Sequence, residues 1–182
     1  MRIGPAFESV LAAARGDAPW AYERLWRAFA PSVASYLRLQ GAPDPDDLCS
    51  EVFLGAFRGV GGFEGDEDGF RGWLFTIAHR RLADARRRAG VRPQWCGEAV
   101  PEAAGGDVED DALARLGTAR VRDLCDRLAP GQRDVLLLRV VADLTVDQVA
   151  EALGRTPGAV KALQRRGLDA LRRALEREGV PL

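Results

Sequence analysis

The sequence predicts an all-α protein: two small helical domains joined by a flexible acidic linker, the second carrying a helix-turn-helix. Three observations predict it. Ala, Leu, Arg and Glu dominate and β-branched runs are short, which favours helix over strand. Apolar residues recur at helical spacing in several stretches, each bounded by Gly or Pro,. From Pro93 to Thr118 the periodicity lapses, and that stretch holds six acidic residues against one basic. The 182 residues suffice for one ordinary domain or two small ones,. The expected boundaries are 5–92, a linker at 93–111, and 112–182.

The elements follow in order. Phe7 to Ala14 begins an apolar-patterned helix that Gly16-Asp17 interrupts. Trp20 to Gln40 is a longer one, with Tyr22, Leu25, Trp26, Phe29, Val33, Tyr36 and Leu37 at helical spacing and Pro31 as an expected kink,. These aromatics are expected to be core rather than a cofactor site. After the turn Gly41 to Pro45, Asp44, Asp46 and Asp47 crowd the start of a helix through Leu48, Val52, Phe53, Ala56 and Phe57, where acidic groups suit the helix dipole. Gly59 to Gly69 reads as a glycine-rich acidic loop containing Phe63. Phe70 to Arg88 is the next helix. Phe70, Trp73, Leu74, Ile77, Ala78 and Leu82 face inward, and arginines crowd its second half.

Ala89 to Asp111 lacks periodicity and reads as the linker, with few apolar residues to fix one domain against the other,. Ala112 to Leu128 is expected to be helical, with Leu113, Leu116, Val121, Leu124, Cys125 and Leu128 inward. Gln132 to Asp143 follows, packing Val135, Leu136, Leu137, Val140 and Val141.

Leu144 to Arg173 then supplies helix-turn-helix grammar. Thr145 caps a short helix that Gly154 stops,. Thr156 caps the next, and Pro157 sits where no N–H is needed,. Ala150 is small where the helices would cross, and Val160 plugs the second onto the first. Its inward stripe is expected to be Val160, Leu163, Gly167, Leu168 and Leu171. Between Arg155 and Glu178 there are seven basic and three acidic residues. In such motifs the second helix enters the DNA major groove with its N-terminal residues on base edges. The alternative is a helical hairpin with a solvated basic face. The Phe70–Arg88 helix suggests nucleic acid as well, because rings at one end suit base stacking and arginines along the other suit phosphates. A solvated basic helix end is the competing explanation.

Other chemistries find less support. Cys49, Cys96 and Cys125 are widely spaced and form neither a disulfide framework nor a metal clip,. Asp47 and Glu51 share a helix face but gain no histidine, and the single His79 stands among arginines. No metal or cofactor is expected. No signal peptide and no apolar run near membrane length is evident, so a cytoplasmic protein without membrane insertion is expected,. The net charge of −1 argues against indiscriminate nucleic-acid binding; the local basic clusters argue for a placed contact,.

With these pieces in hand, nearly the whole chain resembles a bacterial RNA polymerase sigma factor of the compact extracytoplasmic-function group. Trp20 to Arg88 resembles region 2, with DPDDLCSEVFLGAFR as the polymerase-docking helix and FRGWLFTIAHRRLADARRR as the −10 promoter segment. Val121 to Leu175 resembles region 4, with LAPGQRDVLLLRVVADLTVDQVAEALGRTPGAVKALQRR as its consecutive signatures. The resemblance implies that Asp47, Glu51, Val52 and Phe53 face the clamp of core RNA polymerase. It implies that the loop from Phe63 to Gly69 captures a flipped −10 base, and that Arg71, Trp73, His79, Arg80 and Arg81 hold the melting junction. It implies that Thr156, opening the recognition helix, with Lys161, Ala162, Arg165 and Arg166, meets the −35 element. Core RNA polymerase, promoter DNA and an anti-sigma factor are the implied partners, and no catalytic group is implied. The chain departs from the pattern at Ser50, where Gln or Glu is usual, at Arg80 and Arg86, where Asn and Leu are usual, and in the acidity of Glu64, Asp66, Glu67 and Asp68. The other readings are a free-standing dimeric helix-turn-helix regulator and a carboxylate metalloenzyme built on the Asp47 cluster.

Overall fold

The computed structural model describes residues 2–90 and 119–179, all helices and turns with no strand among them. The linker expected at 93–111, with Trp95 and Cys96, lies outside the described residues. Four helices form the first unit: α1 (Phe7–Arg15), α2 (Pro19–Leu39), α3 (Pro45–Gly59) and α4 (Glu67–Arg88). Four form the second: α5 (119–126), α6 (Pro130–Val140), α7 (Val146–Leu153) and α8 (Pro157–Arg177).

Local chemistry sets the helix ends. Asp44 accepts the N–H of Asp47, Asp66 that of Gly69, and Thr156 that of Ala159,. Thr145 and Gln148 cap each other's backbone reciprocally, at 3.2 and 2.8 Å,. Gly154 ends α7 in the left-handed conformation, with φ 59°,. Pro31 lies inside α2, which continues through it rather than breaking. Pro130 and Gly131 open α6 instead of merely preceding it,.

The first unit is built on aromatic packing. Phe29, Tyr36, Phe53, Phe70, Phe75 and Leu74 are fully buried, and Phe70 touches Phe7, Phe29, Phe63 and Trp73 with ring centroids 5.3–5.7 Å apart. In the second unit Val135, Leu138, Leu144, Val149 and Val160 make the core. Gly167 lets α8 approach α6 closely: a Cβ there would sit 2.8 Å from Leu136 Cδ1.

Four expectations are corrected. Val121 and Val140 are exposed rather than inward, Val140 at 74%: Val140 is the last residue of α6, and Val121 stands in the first described turn of α5. Leu168 is exposed and Ala174 buried, so the inward stripe of α8 is Val160, Leu163, Gly167, Leu171 and Ala174. The acidic loop is shorter than expected: Val60–Gly62 is a helical turn and α4 starts at Glu67, leaving 63–66 as the loop. Finally, the two units share a seam. Gln40 Nε2 donates to Asp134 Oδ1 at 2.8 Å, Arg133 Nε to the Leu39 carbonyl at 3.0 Å, and Gln148 Nε2 to the Asp68 carbonyl at 2.8 Å. Composition of the linker could not reveal this seam, because the residues that make it lie elsewhere, within α4, α6 and α7 or at the end of α2.

Candidate functional site

The recognition surface starts from the α7–α8 turn. The Arg155 N–H donates to the Ala150 carbonyl at 2.8 Å, so the chain reverses tightly after Gly154. Val160 is fully buried against α7 and sets the rotation of α8. Lys161, Arg165, Leu168 and Arg172, with Gln164 and Asp169, line one groove-shaped face. Thr156, Lys161, Arg165 and Arg166 are exposed and Ala162 is half-buried, so all five residues expected here lie at or near the surface. Arg166 points to the adjoining side, its Nε donating to the Ala162 carbonyl at 3.3 Å. Arg172 lies on the outward basic side as its spacing predicts, whereas Gln164 and Leu168 were not expected on this face; their three-residue spacing from Lys161 and Arg165 was the signal.

The second surface surrounds the start of α4. Phe63 stacks on Trp73, with centroids 5.2 Å apart and planes 27° apart, and meets Phe70 edge-on. Both Phe63 and Trp73 keep some exposure. Arg80 is exposed and Arg81 half-exposed. Two residues expected at this surface turn inward. Arg71 is 5% exposed and lies over the Phe29 ring, 5.1 Å from its centroid. His79 is half-buried, its Nδ1 3.0 Å from the Tyr36 hydroxyl. Since Gln40 donates to that hydroxyl, the Tyr36 proton is free to go to His79. Burial pushes the His79 pKa below its ordinary value, Arg86 adding to the effect and Asp134 opposing it.

The third surface is the outer face of α3. Asp47 is exposed and Glu51 half-buried. Val52 and Phe53 are 0% and 1% exposed, so they support this face from beneath and present no surface themselves. Leu54, exposed at 55%, and Trp26, whose ring packs on Phe53 at 4.6 Å, are the apolar groups that reach it. Glu51 lies 3.9 Å from Arg81 and 3.8 Å from Arg88. The outer face of α3 and the arginine-rich half of α4 therefore line one charged groove. No group of three or more potential metal ligands occurs among the described residues, and no described helix is long and apolar enough to cross a membrane.

Comparisons with known proteins decide among the readings. Residues 25–92 match the Sigma-70 region 2 family and residues 118–171 the Sigma-70 region 4 family. The chain is 31% identical to the ECF RNA polymerase sigma factor ShbA of Streptomyces griseus, across 72% of this chain and 71% of that one. It belongs to the extracytoplasmic-function group of RNA polymerase sigma factors.

It is also 33% identical to the ECF sigma factor BldN of Streptomyces coelicolor over 92% of its own length, covering 65% of that protein. Its fold is similar to that of CnrH in a complex with the cytosolic domain of CnrY, at a TM-score of 0.71 and 24% identity, over 94% of this chain and 98% of that one. This sigma factor is thus a regulatory initiation factor that directs RNA polymerase to promoters. Most of α2, with α3 and α4, falls within the segment matched to region 2, and described α5 to most of α8 within that matched to region 4. Helix α1 precedes both matched segments.

Proposed function

We propose that this sigma factor docks on core RNA polymerase through α3, opens promoter DNA at α4 and reads an upstream element with α8. Residues 5–92 serve as the core-binding and −10 domain and 112–182 as the −35 domain, with 93–111 as the tether. That tether with the four residues before it, Ala89 to Asp111, makes 23 residues that would reach roughly 75 Å if fully extended,. Two turns of DNA span about 70 Å, so one chain can engage both elements.

The observation that carries the reading is the Phe63–Trp73 stack at the start of α4, with exposed Arg80 and half-exposed Arg81 about two turns further along the same helix,. A base leaving the duplex needs an aromatic surface to stack on, and its phosphates need cations. Asp47, Glu51 and Leu54 form the polymerase contact, with Val52 and Phe53 packing beneath. Trp73 and Phe63 take up an unstacked base while Arg80 and Arg81 meet phosphates. Arg71 and His79 hold α4 in place from inside. Lys161, Arg165 and Arg166 meet DNA upstream, with Thr156 and Ala162 setting the start and closeness of α8. An anti-sigma factor is the expected inhibitor, by analogy with CnrH, which has been seen bound to the cytosolic domain of CnrY.

Run-off transcription with purified core polymerase on genomic fragments tests the reading. Promoter-specific transcripts, and thymines that become permanganate-reactive near −10, are the expected result. A dimer that bound a palindrome and never opened DNA with core polymerase would overturn it.

A further inference from the structure

Glu67 stands first in α4 with its side chain almost wholly buried. Its two carboxylate oxygens accept the N–H groups of Ile3 at 2.7 Å and Gly4 at 2.8 Å. Gly4 has φ 72°, a left-handed conformation that suits glycine and turns the chain into α1,. Arg71, one turn further along α4, lies 4.0 Å from Glu67. A buried carboxylate is unfavourable unless it is hydrogen-bonded and paired; here it is both.

The other end of α1 touches the same loop. Arg15 donates to the Phe63 carbonyl at 2.5 Å. The segment from Ile3 through α1, whose nine residues are roughly 13 Å long,, is therefore tied at its start to Glu67, just after the loop at 63–66, and at its end to Phe63. Between the ties the loop is tightly folded. Gly65 has φ 147°, and a Cβ there would lie 3.1 Å from the Phe63 ring. Phe7, Val10, Leu11 and Ala14 already glue α1 to the core, so Glu67 and Arg15 add position rather than adhesion.

We infer that α1 is a splint for this loop, and that Glu67 and Arg15 are positioning residues that hold Phe63 and its stacking partner Trp73 ready for an unstacked promoter base. The inference rests on the reading of the loop as the −10 contact, but it concerns a segment that precedes the matched region 2. Pre-forming the loop removes the ordering cost from the step in which the base is captured.

The experiment uses the full chain assembled with core polymerase on a promoter that it opens. The variants are Arg15→Ala, Arg15→Lys, Glu67→Gln and the Arg15→Ala/Glu67→Gln pair. At saturating holoenzyme, Arg15→Ala should slow the opening rate constant about tenfold and the pair should slow it further, with affinities for core and for closed promoter unchanged within about twofold. Arg15→Lys should restore most of the rate. Mere destabilisation would lower the amplitude of opening by reducing active holoenzyme, not its rate constant. If Glu67→Gln fails to fold, Arg15→Ala decides alone, because Arg15 is exposed. Opening at the parental rate in Arg15→Ala, or a loss matched by equal loss of core affinity, would overturn the inference while leaving the functional reading intact. An unaltered chain that opened no promoter with core would overturn both.

Discussion

Gln148 lies across Gly72 where α7 meets α4. A Cβ on Gly72 would sit 3.1 Å from Gln148 Nε2 and 3.3 Å from its Cγ and Cδ. The same amide donates to the Asp68 carbonyl one turn earlier. Glycine inside a long helix costs about 1 kcal/mol relative to alanine, and this close approach is what offsets it. Gly72→Ala should therefore act in two directions. It should favour α4 as a helix and push Gln148 out of the seam. Small-angle scattering should report a larger radius of gyration, and amides of α7 should exchange faster. An unchanged radius and unchanged exchange would mean that the seam does not depend on this contact.

The seam also contains a titratable group. His79 faces Tyr36, with Gln40, Asp134 and Arg86 beside it. Its folded pKa lies below the ordinary 6.5, chiefly through burial. The unfolded chain then takes up the proton first as pH falls. Stability from this group is complete above the unfolded value and is lost as pH drops through it toward the folded value. The Tm should fall as pH drops through and below the ordinary histidine value of 6.5, and His79→Gln should flatten that fall,. Equal slopes in the two proteins would show that His79 is not the group responsible.

These contacts mark the limit of what the sequence reveals. Thr145, Gly154, Thr156 and Pro157 announce their helix ends because caps and turns are chemistry between near neighbours in the chain. Apolar spacing finds Phe29, Phe70, Val149 and Val160 because a helix buries one face. It does not say what that face meets, so Val140 and Leu168 read as core and are exposed. Glu67 reads as part of a solvated acidic loop, since nothing local shows that Ile3 and Gly4 return to it. Gln148 is legible as a capping residue, yet its amide also reaches the other unit. Val52 and Phe53 were named as contacts by resemblance, whereas their place in the apolar stripe of α3 says that they pack.

That distinction predicts a split along α3. Phe53 is buried against Trp26 and Phe57, so Phe53→Ala should cost about 3–5 kcal/mol of stability. The Asp47→Arg/Glu51→Arg pair should leave the Tm nearly unchanged, because Asp47 is exposed and solvent-accessible ion pairs such as half-buried Glu51 with Arg88 contribute about 0–1 kcal/mol,. It should nevertheless abolish holoenzyme assembly, and Leu54→Asp should weaken it. Chemical denaturation and core-polymerase pull-down on the same preparations separate the two effects. Normal assembly by the charge-reversed pair would remove α3 as the docking face.

The two DNA surfaces should fail in different ways. Arg165 shares its face with Lys161, Gln164 and Leu168, a mixture suited to reading base edges. A bidentate arginine contact discriminates bases by about 1–3 kcal/mol, so Arg165→Ala should weaken initiation strongly at some −35 sequences and little at others. Arg80 is exposed on α4. If it meets a phosphate, Arg80→Ala should lower the salt slope of promoter binding by about one unit, with little change in preference. Trp73→Ala should leave closed-complex affinity near parental, because the ring is engaged only after a base unstacks, while permanganate reactivity of the −10 thymines drops. Loss of closed binding in step with opening would instead place Trp73 in the duplex contact. An Arg165→Ala protein that weakened every promoter equally would make α8 a phosphate-binding helix rather than a reader of sequence.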